Sequence, residues 1–186
     1  MGKIKIDNNG FTYPMPVTIV GAHVKGKPNH MAVSWVSRMS SKPPLIGIVS
    51  SAHYTTEGIK ENKEFSVCIP SIEMLKVTDY IGTVSGADED KSKIFDCYYG
   101  ELKHAPMIKE CPVSVECRLI QTVKLPKAEL LIGEIINAYG DEKYMTDGKL
   151  DIKKIKPFTL TMPDNNYQAV GELVGKAWKD GLDYKK

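Results

Sequence analysis

Apolar residues recur in short runs rich in Val and Ile, at residues 17–21, 31–37, 45–49, 65–69, 113–123 and 131–138. Gly, Pro, Asn or Ser bounds each run, the pattern of strands set between turns. Residues 23–29 read as the hairpin connection between the first two runs. Pro43-Pro44 blocks helix and sets up the third run at its edge. Helical spacing is rarer. Residues 55–62 open on a capping hydroxyl followed by Glu57, and Met74, Leu75, Val77 and Ile81 predict a second helix over 73–81. The clearest helical repeat comes last. Tyr167, Val170, Leu173, Val174, Ala177 and Trp178 follow a cap at Asn165 or Asn166, and Gly181 acts as a stop.

Six strands, few helices and no regular βα alternation predict a mainly β fold, an antiparallel barrel rather than a doubly wound sheet. The polar stretch 140–156 reads as exposed loops around a turn at Asp147-Gly148. No repeat or linker interrupts the chain, so residues 1–186 are expected to form one domain.

Composition removes several classes of function. Hydrophobic residues make up 42% and charged residues 26%, and the net charge is +2 with both signs interleaved. No basic face for nucleic acid follows from that pattern. No apolar run approaches the roughly 20 residues of a membrane helix. The N-terminus alternates apolar and polar residues without a signal-peptide core, so the chain is expected in the cytoplasm, away from membranes. No acidic cage and no CxxC spacing point to a metal. Cys68 reads as a small buried hydrophobe. Cys111 and Cys117 would share a face on one unbroken strand. GxGxxG after a strand, the P-loop, GxSxG and HExxH are absent, and His23, His30, His53 and His104 are scattered. Generic chemistry stops at a β-rich soluble domain.

More specific is the order and spacing of several segments between Pro14 and Glu172. They are Pro14-Met15-Pro16-Val17, the stretch from Gly26-Lys27-Pro28-Asn29 to Trp35, and Pro43-Pro44-Leu45-Ile46-Gly47. They continue with His53-Tyr54-Thr55-Thr56-Glu57-Gly58, Gly82-Thr83-Val84-Ser85-Gly86 with Asp90-Lys91, Ile132-Gly133-Glu134, and Tyr167 with Gly171-Glu172. Together they resemble the flavoredoxin and flavin-reductase-like family of FMN-binding split barrels. The resemblance implies an antiparallel, Greek-key-like split β-barrel with a few helices, one of them C-terminal. It also implies FMN as cofactor and a homodimer.

FMN presents a dianionic phosphate, a polar ribityl chain and a flat ring. The resemblance sets Thr56, at a helix start, and Lys91, on the loop with Ser85, at the phosphate. Asn29 and Trp35 fall near the phosphate and ribityl end, with Met31 in the same set. Ser50, Ser51, Ala52 and His53 form the turn whose backbone approaches the ring, with Ser37-Arg38 nearby. Tyr167 is the matching aromatic expected to cover FMN, either its own subunit's or, in the dimer, the partner's. Two departures stand out. Family members often carry a fixed cation where this chain has His53, whose charge is not fixed. Some carry a histidine at the segment 128–131, where this chain has none. The flavin carries the chemistry in such proteins, so no catalytic side chain is assigned. The expected activity is an oxidoreductase that moves electrons from NAD(P)H or another reduced donor, through FMN, to flavin, ferric iron or a protein. The alternatives are a non-catalytic FMN electron carrier and a plain FMN-binding module.

Overall fold

The computed structural model describes residues 2–6, 10–182 and 184. Its elements are β1 (Met15–Pro16), β2 (Thr18–Val24), β3 (Lys27–Val33), β4 (Val36–Ser41), β5 (Pro44–Ser50), α1 (Tyr54–Asn62), β6 (Glu64–Ile69) and α2 (Leu75–Thr83). They continue with β7 (Cys97–Tyr98), β8 (Met107–Ile108), β9 (Val113–Lys124), β10 (Glu129–Gly140), β11 (Met145–Thr146), β12 (Lys149–Leu150), α3 (Ile152–Ile155), β13 (Phe158–Thr161) and β14 (Asn166–Ala169).

Seven strands form one antiparallel sheet in the order β3-β2-β6-β9-β10-β5-β4. Its two outermost strands, β3 and β4, are consecutive in the chain, with only Ser34 and Trp35 between them. A flat sheet of seven strands is about 29 Å wide at ~4.8 Å per spacing, far beyond the reach of two residues. The sheet therefore curls until its ends meet, and Val49 N donates to Trp35 O at 2.9 Å, which carries the β4–β5 pairing one residue past Val36 into the closing link. Register shifts in β10 between Ile132 and Gly133 and between Ile135 and Asn137 supply local bend. The result is an antiparallel split β-barrel.

The strands alternate between two cores. On β2 and β6, Val20 pairs with Val67 inside the barrel, while Ile19 pairs with Cys68 on the outer face. Phe65, Ile48, Leu131 and Cys117 fill the interior. Outside, Met74 and Ile81 with Phe95, Met107, Ile108 and Cys111 cover the other face. Helix α1 lies on β2 at such close range that a Cβ on Gly58 would sit 2.1 Å from His23 O. Ile59 on the same helix joins the interior core.

Several expectations are corrected. The run 31–37 is broken at Ser34 and Trp35, where the barrel closes. The first hairpin turns on Lys25 and Gly26 alone, both at positive φ, so strand pairing covers the rest of 23–29. Strand β5 does start at Pro44, where the Pro43-Pro44 pair sets the strand's edge. Asp147 and Gly148 do make the expected turn, with φ of 51° and 69°, but it closes a short hairpin of β11 and β12.

The predicted C-terminal helix is absent. Residues 166–169 are β14, paired to β13 through Leu160 and Tyr167, and no helix follows before residue 182. Gly171 and Gly175 each cost about 1 kcal/mol relative to Ala inside a helix. Strand pairing on β13 wins over a repeat whose Leu173, Val174 and Trp178 stay exposed. Cys111 precedes β9 and packs in the outer core, its Sγ 3.8 Å from Met74 Sδ, whereas Cys117 lies in the barrel interior. The two thiols share no face.

Candidate functional site

Two cavities meet at the start of α1. The first, about 260 Å³, is mostly polar and bordered by Asn29, Met31, Ala52, His53, Tyr54, Thr55, Ser85, Gly86 and Lys91. The second, about 490 Å³, is mostly apolar and bordered by Val33, Trp35, Val49, Ser50, Ser51, His53, Lys127, Ala128, Leu160 and Tyr167. Ala32 and His53 belong to both. A polar pocket thus adjoins a larger apolar one through Ala32 and His53.

Chain geometry makes this junction. Strand β5 ends at Ser50 and α1 begins at Tyr54, so 51–53 turn tightly between them. His53 is the N-cap residue and its side chain makes no capping bond. Its Nε2 lies 2.9 Å from Ser51 Oγ instead. Helix geometry leaves the Tyr54 and Thr55 amides without an intrahelical acceptor. The positive end of the helix dipole therefore faces the polar cavity with its donors unused.

Lys91 closes the opposite wall. It is 3% exposed, and its Nζ donates to Ile81 O at 2.9 Å and His30 O at 3.1 Å. Among the described residues, no carboxylate pairs with it. Desolvation pulls its pKa down, with Glu89 acting weakly in the other direction. A buried ammonium without a counter-charge is costly, so the site favours an anion. Beneath Lys91, burial brings His30 down to about 4, so its ring is neutral, and the Nδ1 has no partner.

The residues expected from sequence divide as follows. Asn29, Met31, Ala52, His53, Ser85 and Lys91 border the polar cavity, and Trp35, Ser50, Ser51, His53 and Tyr167 border the apolar one. Thr56 borders neither. Its hydroxyl is 3.0 Å from Ser50 Oγ, beneath the turn, and it is fully buried. Thr55 takes its place at the cavity, where its Oγ1 accepts from Asn29 Nδ2 at 2.8 Å. The helix begins one residue earlier than the Thr pair suggests, and this phase decides which hydroxyl faces the cavity. Ser37 and Arg38 do not border the apolar cavity: both are exposed, Ser37 lines the neighbouring groove beside residues 10–16, and Arg38 donates to Ser40 O at 2.7 Å. Tyr167 comes from a strand rather than a helix start. Its hydroxyl donates to Asp79 Oδ1 at 2.7 Å, and burial together with that carboxylate pushes its pKa up to about 12. Sequence reading missed Tyr54, Gly86, Lys127 and Leu160. Gly86 carried a signal in its Ser-Gly turn, whereas Lys127 and Leu160 arrive only through tertiary folding.

The curled seven-stranded sheet with paired cavities at a strand-to-helix turn defines a split-barrel protein of the flavin reductase class. The chain belongs to the flavin reductase like domain family, which matches residues 11–170. Flavoredoxin from Methanosarcina acetivorans is 54% identical, with a TM-score of 0.95 and 98% of each chain covered. Flavoredoxin of Desulfovibrio vulgaris is 34% identical, with a TM-score of 0.87, over 96% of this chain and 100% of that one. A split barrel domain protein from Shewanella frigidimarina shares the fold at 20% identity and a TM-score of 0.76, over 88% and 86% of the two chains.

Proposed function

We propose that this chain, as one domain over 1–186, binds FMN across the two cavities and serves as an oxidoreductase working as a homodimer. The observation that carries this reading is Lys91: a buried cation without a carboxylate partner, facing an uncapped helix N-terminus. A phosphate supplies the missing charge and acceptors for both. Asn29, Thr55 and Ser85 border the same pocket and suit the phosphate and polyol. The apolar cavity suits a flat ring, with Trp35, Val49 and Tyr167 as its walls and the turn at 50–53 as its polar edge. Bound there, the flavin supplies a ring that takes up and releases two electrons. The chain's own residues orient it and keep water from one side. Tyr167, held protonated by Asp79 and burial, stays a neutral wall at physiological pH.

The electrons come from a reduced donor such as NAD(P)H and go to flavin, ferric iron or a protein. Its similarity to two flavoredoxins supports a role in electron movement. Among the described residues no helix is long and apolar enough to cross a membrane. The four cysteines are unbridged, which suits a reducing cytoplasm. Titration with FMN under fluorescence detection tests the binding. Saturable quenching at one FMN per chain is expected, and a protein that takes up none refutes the reading. Anaerobic mixing with NADH or NADPH then separates an enzyme, whose flavin band bleaches within seconds, from a carrier that waits for a protein donor.

A further inference from the structure

Cys111 has a thiol neighbour, but on another strand from the one its spacing suggested. Cys68 lies on β6 and Cys111 just before β9, and the two meet in the outer core, where their thiols share a hydrogen bond. No disulfide joins them. Ser114 stands directly opposite Cys68 in the β6–β9 register. Side chains so paired share a face of the sheet. The Ser114 hydroxyl is buried, and its oxygen has no hydrogen-bond partner among the described residues. A spare donor therefore stands beside the Cys68 sulfur.

These neighbours set the pair apart from the other thiols. Burial pushes the Cys68 thiol up, but bonds from Cys111, Ser114 and the Ile108 backbone outweigh it and leave the thiol lowered. Cys111 is pushed well up, by its bond to Cys68 and then by burial. The pair thus parts with one proton more easily than two separate buried thiols would. Cys97 and Cys117 lack this relief, and burial pushes both up, Cys97 to about 11.

The pair is also reachable. Cys111 is 6% exposed and borders a surface cavity of about 220 Å³ with Tyr98, Lys109, Tyr139 and Asp141. A water molecule takes up about 30 Å³ in the liquid, so hydrogen peroxide fits with room to spare. None of this lining belongs to the two cavities at the start of α1.

We propose that Cys68 and Cys111 form a redox-active dithiol, separate from the flavin site, that a hydroperoxide converts to a disulfide. Cys111 meets the peroxide in the cavity. Its proton passes to Cys68, and the Cys111 sulfur attacks one peroxide oxygen. The O–O bond breaks, a sulfenic acid forms on Cys111, and the first water leaves with a proton from the pair. The Cys68 sulfur then attacks the Cys111 sulfur. The S–S bond forms and the second water leaves. Two thiols lose two electrons, and the peroxide is reduced to two waters. Ser114 supports the charge on Cys68 while it waits to attack.

Thiol counting on the native chain tests the site and needs no reduction of flavin, so it stands apart from the FMN reading. Folded protein is treated with stoichiometric hydrogen peroxide, then unfolded in N-ethylmaleimide and digested for mass spectrometry. The count of free thiols is expected to fall from four to two. One linked peptide pair is expected, joined through Cys68 and Cys111 and two hydrogens lighter than its separate halves. Dithiothreitol should restore all four thiols. A Cys97→Ser chain should lose two thiols in the same way. Four thiols left after treatment overturn the proposal. So does a bridge that contains Cys97 or Cys117, a Cys97→Ser chain that keeps every thiol, or Cys111 driven to sulfinic acid with Cys68 still free.

Discussion

Asn29 Nδ2 donates to Thr55 Oγ1 across 2.8 Å, joining strand β3 to the first turn of helix α1. Both side chains are buried. Because Thr55 Oγ1 accepts this bond, its own O–H is left to donate into the polar cavity. Asn29→Ala removes the bond and lets the hydroxyl rotate. The expected loss is about 1 kcal/mol, a three- to tenfold weaker affinity for FMN. Fluorescence titration measures it, and an unchanged affinity takes Asn29 out of the site.

Gly86 faces the same pair from the far loop. A Cβ built there lies 2.2 Å from Asn29 Oδ1 and 2.8 Å from Tyr54 Cδ1. Gly86→Ala therefore pushes Asn29 into the polar cavity. Overpacking of this kind costs about 1–3 kcal/mol, or five- to 150-fold in FMN affinity. Riboflavin, which lacks the phosphate, is expected to lose much less, and parallel titrations of the two ligands compare the losses.

Lys91 makes the sharper contrast between those ligands. Lys91→Met keeps much of the side-chain volume and removes the charge. A charge-assisted hydrogen bond contributes about 1.5–3 kcal/mol, so FMN affinity is expected to fall ten- to 150-fold while riboflavin affinity holds. The FMN gain over riboflavin should also shrink in high salt for the native protein, though weakly, because the cation is buried. Equal losses for both ligands would assign Lys91 a purely structural role.

The sequence carried the barrel strands well because Val and Ile runs between Gly and Pro report strand pairing locally. It carried the sheet order poorly. Ile19 and Val20 are both apolar because β2 has a core on each face, so alternation alone could not say which side was the barrel interior. The closing link at Ser34 and Trp35 sat inside an apparently continuous run, since Trp35 is apolar yet exposed. At the site, Asn29, Lys91 and the turn at 50–53 were legible through an ordered resemblance. Thr55 was displaced by one residue because cap position, not composition, sets helical phase. The last helix failed for a different reason. Its apolar repeat was real, but among the described residues Leu173, Val174 and Trp178 stay exposed, so no buried face holds the repeat in a helix.

Glu116 is fully buried on β9, holds four donors and borders neither cavity. Its Oε1 accepts from Glu101 N at 3.0 Å, Asn137 Nδ2 at 2.7 Å and Tyr139 Oη at 2.9 Å, and its Oε2 accepts from Leu102 N at 2.8 Å. The carboxylate thus pins residues 101–102 to strand β10. Desolvation pushes its pKa up, but the bonds from Leu102, Asn137, Glu101 and Tyr139 outweigh it and leave the pKa lowered. Glu116→Gln turns an amide N–H₂ toward at least one of these donors. The expected cost is about 2–3 kcal/mol, which lowers Tm by roughly 4–12 °C in a chain of this size. A carboxylate whose folded-state pKa is depressed contributes stability in full above its ordinary value of about 4.3, and loses it as pH falls through the folded value. The gap in Tm between native protein and Glu116→Gln is therefore expected to be widest near pH 7 and to narrow near pH 3. Thermal melts at the two pH values measure it, and an equal gap at both would assign the stabilisation to packing rather than to the ionised carboxylate.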